Sequence, residues 1–258
     1  MRIPEKRIID VKNLIRKEKV VTVEKISKLF GISPITVRRD LERLHEEGFI
    51  NKVHGGAVYK DTFEPEPVFI RQIKLLQDEK SAIAKEAVKR IKDGDTIILE
   101  SGSTCLAMIK YLIDKKNIKI STAGIPVASE LWKLSMIKRD MEISVCGGIL
   151  RPDASTLIGP YAVDYFRSIN ADIAFLSAVG ISLDKGVSTA TQFDAELMRT
   201  IMKSAKKAIL ISDSTKFGKY SYVNVASLRD FHEIITDKGL DDKIYFELKK
   251  KGVNVTLV

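Results

Sequence analysis

Arg38, Arg39 and Arg43 follow closely on the hydroxyls of Ser33 and Thr36 and on Ile35. A guanidinium fork pairs with the edge of guanine or with phosphate oxygens. At helical spacing these six residues share one face, opposite Val37, Leu41 and Leu44. A recognition helix puts its N-terminal residues at base edges and its flanks on the backbone. Thr36 and Arg39 are therefore expected at bases. Arg38, Arg43 and Lys52 are expected at phosphates, which fix register without reading sequence. The same arginines also fit an ordinary amphipathic helix, solvated or paired with Asp40, Glu42, Glu46 and Glu47.

A second cluster is Glu100-Ser101-Gly102-Ser103-Thr104, after a predicted strand and before a predicted helix. Glycine admits an anion close to the backbone, and a helix start supplies N–H groups. Ser101, Ser103 and Thr104 add hydroxyl donors. A plain strand-to-helix turn has the same composition. Arg151, following Gly147-Gly148, is a second candidate phosphate ligand. Lys216 follows a predicted strand end, where ligands of α/β sheets collect. A surface pair of Asp213 with Lys216 is the competing account. Cys105 lies at a helix start, which lowers a thiol pKa, or it is simply buried; Cys146 is expected in the core.

These clusters need elements to hold them. Residues 1–58 read as three short helices and a hairpin. Ile8, Val11, Leu14 and Ile15 mark the first helix; Val23, Ile26, Leu29 and Phe30 the second, capped by Thr22 and ended by Gly31. Ser33-Pro34 opens the third, which Gly48 stops. Short apolar stretches around Gly55-Gly56 signal a hairpin. This is the order of a winged helix-turn-helix. Glu64-Pro65-Glu66-Pro67 marks a boundary, so residues 59–77 read as a linker. A helix is expected over residues 78–92. Beyond it, strands at 96–100, 119–122, 142–146, 172–176, 207–212, 233–236 and 253–258 alternate with helices at 105–112, 127–134, 161–169, 192–203 and 241–250. That predicts an α/β domain over residues 78–258 with a mostly parallel sheet.

Charge agrees with this division. The net charge is +9, and residues 1–60 hold 14 basic against 8 acidic residues. A small basic module on a near-balanced domain suggests a polyanion partner at the N-terminal end. Two cysteines make neither a disulfide framework nor a zinc site. No apolar run is long enough for a membrane helix, and no secretory signal is read, so a reduced, cytoplasmic protein is expected, without metal or cofactor.

The run from Ile32 to Leu44, with its Thr36-Val37-Arg38-Arg39-Asp40-Leu41 core and its His54-Gly55-Gly56-Ala57 tail, resembles the DeoR family of bacterial transcriptional regulators. The resemblance extends over nearly the whole chain: Arg71, Glu79-Lys80, Gly102-Ser103-Thr104, Gly159-Pro160, Asp172-Ile173-Ala174-Phe175 and Asp213-Ser214-Thr215-Lys216 are its landmarks. It adds His54 to the DNA-facing set. It implies a sensor domain similar in fold to sugar-phosphate isomerases, double-stranded operator DNA, a phosphorylated sugar effector and repression of a sugar-utilisation operon. Asp153, Thr156 and Asp213 would then reach the sugar, and Lys216 its phosphate or a hydroxyl. Three positions depart from the family's usual residues. Lys52 replaces arginine and loses the fork. Glu100 replaces aspartate with a longer arm, and Ala123 replaces asparagine. A homodimer or homotetramer is expected, since paired modules read symmetric half-sites. The alternative is an isomerase-like enzyme with an appended DNA module. It would need a carboxylate base, but Leu176-Ser177-Ala178-Val179-Gly180 has no acid where ribose-phosphate isomerases carry an acidic run; Glu100 and Asp213 are the substitutes. No enzymatic activity is expected.

Overall fold

A computed structural model describes residues 3–47, 49–59 and 68–258. Gly48 and the Glu64–Pro67 stretch lie outside the described residues. The chain forms two compact units, Met1–Glu66 and Pro67–Val258.

The first unit holds α1 (Ile3–Glu18), β1 (Val20–Thr22), α2 (Val23–Phe30), α3 (Pro34–Glu46), β2 (Ile50–Val53) and β3 (Gly56–Tyr59). Thr22 caps α2 by accepting from Lys25 N–H, and Gly31 ends it in the left-handed region. Ser33 caps α3, with Pro34 in its first turn. Ile8, Val11, Ile15, Val23, Ile26, Val37, Leu41 and Leu44 form the core, closed by Ile50 and Ala57 from the sheet. Leu29, expected inward, is 59% exposed instead. The hairpin also gains a third strand, giving the order β1-β3-β2. Val20 and Val21, too short a stretch to signal a strand, pair with Val58 and Ala57. The turn is His54-Gly55, and Gly56 belongs to β3. A Cβ on Gly56 would collide with the Val21 carbonyl oxygen, so the second glycine serves the close approach of β1.

The second unit begins with α4 (Val68–Lys74) and α5 (Gln77–Val88). Then follow β4 (Thr96–Leu99), α6 (Ser103–Met108), β5 (Lys119–Thr122), α7 (Ile125–Ile137), β6 (Glu142–Val145), β7 (Ile149–Arg151) and β8 (Thr156–Ile158). Next come α8 (Pro160–Arg167), β9 (Ala171–Leu176), β10 (Gly180–Ser182), β11 (Gly186–Thr189), α9 (Gln192–Lys203) and β12 (Ala205–Ile211). The chain ends with β13 (Val223–Ala226), β14 (Glu233–Thr236), α10 (Asp242–Lys250) and β15 (Val255–Leu257). Seven strands form a parallel sheet in the order β15-β14-β12-β9-β4-β5-β6. Both of its faces are buried. Ile97, Leu99, Phe175 and Ile209 enter one core, while Ile98, Ala174, Leu176 and Leu210 enter the other. That is why these strands read as continuous apolar runs. From β4 the chain winds outward through β5 and β6, and from β9 it winds the other way. The crevice of this topological switch therefore opens at the carboxyl ends of β4 and β9.

Candidate functional site

In the first unit, α3 offers the face that its sequence predicts. Ile35, Arg38 and Arg39 are exposed, and neither arginine has an ion-pair partner among the described residues. Ser33 and Thr36 share a hydroxyl contact of 2.9 Å while Ser33 caps the helix. Arg43 and Lys52, expected at phosphates, are held within the unit: Arg43 meets Glu47 at 3.0 Å and Lys52 meets Glu42. Both pairs are exposed, so polyanion phosphates can take over these cations at small cost. His54 sits exposed in the hairpin turn.

Asp40 does not pair with the arginines of its own helix. It accepts a two-pronged contact from Arg7 of α1, at 2.8 and 3.0 Å, and is nearly buried. His45 Nδ1 lies 2.9 Å from Ile50 O and ties the end of α3 to β2. Neither role was legible from spacing within α3 alone.

In the second unit the switch-point crevice is a cavity of about 300 Å³. It brings together six of the expected effector residues: Glu100, Ser101, Gly102, Arg151, Asp153 and Thr156. It also draws in Phe69 and Gln72 of α4, Ser177 after β9, Thr189 of β11 and Asp194 of α9. Four expected residues do not line it. Ser103 and Thr104 are buried within the first turn of α6. Asp213 is buried as the cap of the Ser214–Lys216 turn, accepting from Thr215. Lys216 belongs to that same turn at the end of β12, beyond β9 from the crevice.

The Gly102 loop differs from the open anion cradle that its composition suggests. The long arm of Glu100 folds back and fills it. Its carboxylate accepts from Ser101 Oγ at 2.7 Å, Gly102 N–H at 3.0 Å and Ser177 Oγ at 2.8 Å. A Cβ on Gly102 would collide with Ser177 Oγ, so glycine is needed here to let β9's end approach. Arg151 is the cavity's guanidinium. It meets Asp153 at 2.9 and 3.1 Å and also Asp194, which Thr191 Oγ1 orients at 2.7 Å. Arg151 holds the Asp153 carboxyl below its usual range. Thr156 is buried and donates to Ala123 O at 3.4 Å. Among the described residues the cavity thus offers one cation and three carboxylates, beside the apolar side chains of Phe69, Leu197 and Met198.

Phe69 closes one side of the cavity. Its N–H donates to Asp153 O at 3.3 Å. The far end of α4 is gripped by buried Lys80, which donates to Gln72 O and, at 2.8 Å, to Leu75 O. Burial pushes the Lys80 ammonium down, with Asp213 opposing. Burial also pushes the Cys105 thiol well up, against the lowering that a helix start suggests, and Cys146 up to about 12. Both cysteines are core residues. No metal-binding cluster occurs among the described residues, and no described helix is long and apolar enough to cross a membrane.

A basic helix-turn-helix face and a separate switch-point cavity define a DNA-binding regulator with a sensor domain. The DeoR-like helix-turn-helix model matches residues 7–63, and the DeoR C terminal sensor domain model matches residues 76–238. The chain belongs to the DeoR family of transcriptional regulators. It is 32% identical to the HTH-type transcriptional regulator GolR of Listeria innocua, across 98% of each chain. It is 29% identical to the glycerol-3-phosphate regulon repressor of Escherichia coli strain K12, across 87% of each. Among solved structures, ribose 5-phosphate isomerase from Plasmodium falciparum aligns with a TM-score of 0.40 at 17% identity, over 55% of this chain and 53% of that one.

Proposed function

We propose that the protein represses a sugar-utilisation operon in the cytoplasm and that a phosphorylated sugar in the switch-point cavity releases it from the operator. One observation carries this reading: the cavity's single guanidinium, Arg151, is shared with Asp153 and Asp194 beneath α4, the first described element after residues 59–67. A phosphate, like either carboxylate, can pair with Arg151 through two parallel hydrogen bonds. Its arrival would take Arg151 from Asp153, whose carbonyl accepts from Phe69 of α4. Glu100, Asp153 and Asp194 would accept from sugar hydroxyls. The effector shifts the balance only by the difference in its affinity for the DNA-competent and incompetent states. The glycerol-3-phosphate repressor among the relatives supports a phosphorylated polyol as the ligand type.

Two copies would read the two halves of a symmetric operator. The protein would be a binder and not an isomerase. Glu100, the carboxylate best placed as a base, is engaged by Ser101, Gly102 and Ser177. Thermal-shift screening against sugar phosphates, free sugars and inorganic phosphate tests the reading, because a ligand of the native state raises the melting temperature. A shift that needs both sugar and phosphate, and disappears in Arg151→Ala, is expected. No shift with any phosphorylated sugar would refute the effector assignment; turnover of a hit would replace it with the enzyme.

A further inference from the structure

The charges of the switch-point cavity do not balance, and the imbalance is local. The guanidinium of Arg151 meets Asp153 and Asp194, and no other carboxylate among the described residues acts on it. Glu100, on the same cavity, has no cation partner among the described residues. Its three donors, the hydroxyls of Ser101 and Ser177 and the N–H of Gly102, are all neutral. They fix the direction of the carboxylate without cancelling its charge. Gly102 and Ser177 both donate to Oε2, and Ser101 alone donates to Oε1. A carboxylate has about four acceptor positions, so Oε1 keeps one open.

A ligand that fills the cavity closes these groups off from solvent. A carboxylate shut in without a counter-charge is costly. A phosphate alone makes this worse, because a phosphomonoester adds about two further negative charges at neutral pH. A sugar hydroxyl donates a hydrogen bond but brings no charge. An ammonium group brings both, and a charge-assisted bond is roughly twice as strong as a neutral one.

We propose that the effector is an amino sugar phosphate, with its phosphate on Arg151 and its ammonium on Glu100. The two protein groups come from different elements: Glu100 directly follows β4, and Arg151 ends β7. A ligand that meets both carries its cation and its anion on separate carbons, as a hexosamine phosphate does. Asp153 and Asp194 are left for ring hydroxyls. A cavity of about 300 Å³ is at the small end of ligand sites, which suits one sugar unit better than a nucleotide or a disaccharide.

The inference rests on the reading of this cavity as a sugar-phosphate site and narrows the ligand within that class. Calorimetry on the full chain tests it. The ligands are the 6-phosphates of glucosamine, galactosamine and mannosamine, of their N-acetyl forms, and of glucose, galactose and mannose, all in the presence of a chelator. N-acetylation keeps the nitrogen and removes its charge. At least one amine should bind roughly tenfold or more tightly than its acetylated and amine-free counterparts. Glu100→Gln should erase that preference, and Glu100→Asp should retain part of it. Circular dichroism confirms folding. If Glu100→Gln does not fold, the unaltered chain decides: the preference should vanish as pH rises through the amine's own pKa. Amine-free phosphates that bind as well as the amines overturn the inference and leave the sugar-phosphate reading standing. A preference that survives Glu100→Gln does the same, as does an amine-free phosphate that binds only when magnesium replaces the chelator. No binding by any phosphorylated sugar overturns both.

Discussion

Arg39 and Arg38 stand side by side on α3, but their expected roles differ. Arg39→Ala should lose the preference for the target sequence, by about 1–3 kcal/mol, as expected for a base contact. Arg38→Ala should weaken binding to all sequences about equally and lower the salt slope by about one. Titrations of target and random DNA at several salt concentrations separate the two; equal losses of preference would contradict the division. The exposed face of α3 was readable from period and caps, because both are local. The role of Asp40 was not, because its partner Arg7 lies far away in sequence. Asp40→Ala should destabilise the first unit by about 1–3 kcal/mol through the stranded guanidinium, measured by urea unfolding. Glu100 was legible as a site residue, but the direction of its arm was not. That depends on Ser177, which reaches it only because β9 lies beside β4.

Among the elements, those with strong apolar runs or caps were legible. All seven strands of the parallel sheet lie where their sequences predict, as does α9 with its Thr191 cap. The elements that escaped are short: β1, the β7–β8 hairpin, the antiparallel β10-β11-β13 sheet and α4. Strands of three or four residues, and a helix of only seven, carry too little periodicity to stand out from loops. Three of these missed elements, α4, the hairpin and β11, line the cavity; the hairpin's Arg151, Asp153 and Thr156 were legible as residues all the same, whereas Phe69, Gln72 and Thr189 were not. Placement by element also separates two cations that sequence treats alike. Arg151→Ala should abolish the phosphate-dependent thermal shift, whereas Lys216→Ala should leave it nearly unchanged. The reverse pattern would move the phosphate to the end of β12. In the first unit, Gly56→Ala should cost about 1–3 kcal/mol by forcing β1 from β3, read as a lower unfolding midpoint.

At the scale of the whole molecule, stability should depend on acid in a particular way. Burial pushes the Glu233 carboxyl up, but hydrogen bonds from Arg90, at 2.7 and 2.8 Å, and from Thr256 outweigh it and hold it below its ordinary value. Lys89 and Arg90 likewise hold Glu86 down. Carboxyls lowered in the folded state contribute stability that is complete above their ordinary range and is lost as pH falls through the folded value. Urea midpoints should therefore be flat near neutral pH and fall on acidification below the usual carboxylate range. Glu233→Gln should flatten that fall; an unchanged acid limb would remove the Arg90–Glu233 clamp from the account.

The central claim joins the two units through linkage: what binds in the sensor cavity must change affinity for DNA. The measurement that tests it most directly is fluorescence anisotropy of a labelled duplex selected by the protein from a random pool. It is run at one fixed salt concentration, with and without the sugar phosphate found by thermal shift. The account predicts weaker DNA binding when the phosphorylated sugar is present, no effect of the free sugar or inorganic phosphate, and no effect of any of them on Arg151→Ala. DNA affinity that ignores a bound sugar phosphate, or a release that survives in Arg151→Ala, would contradict it.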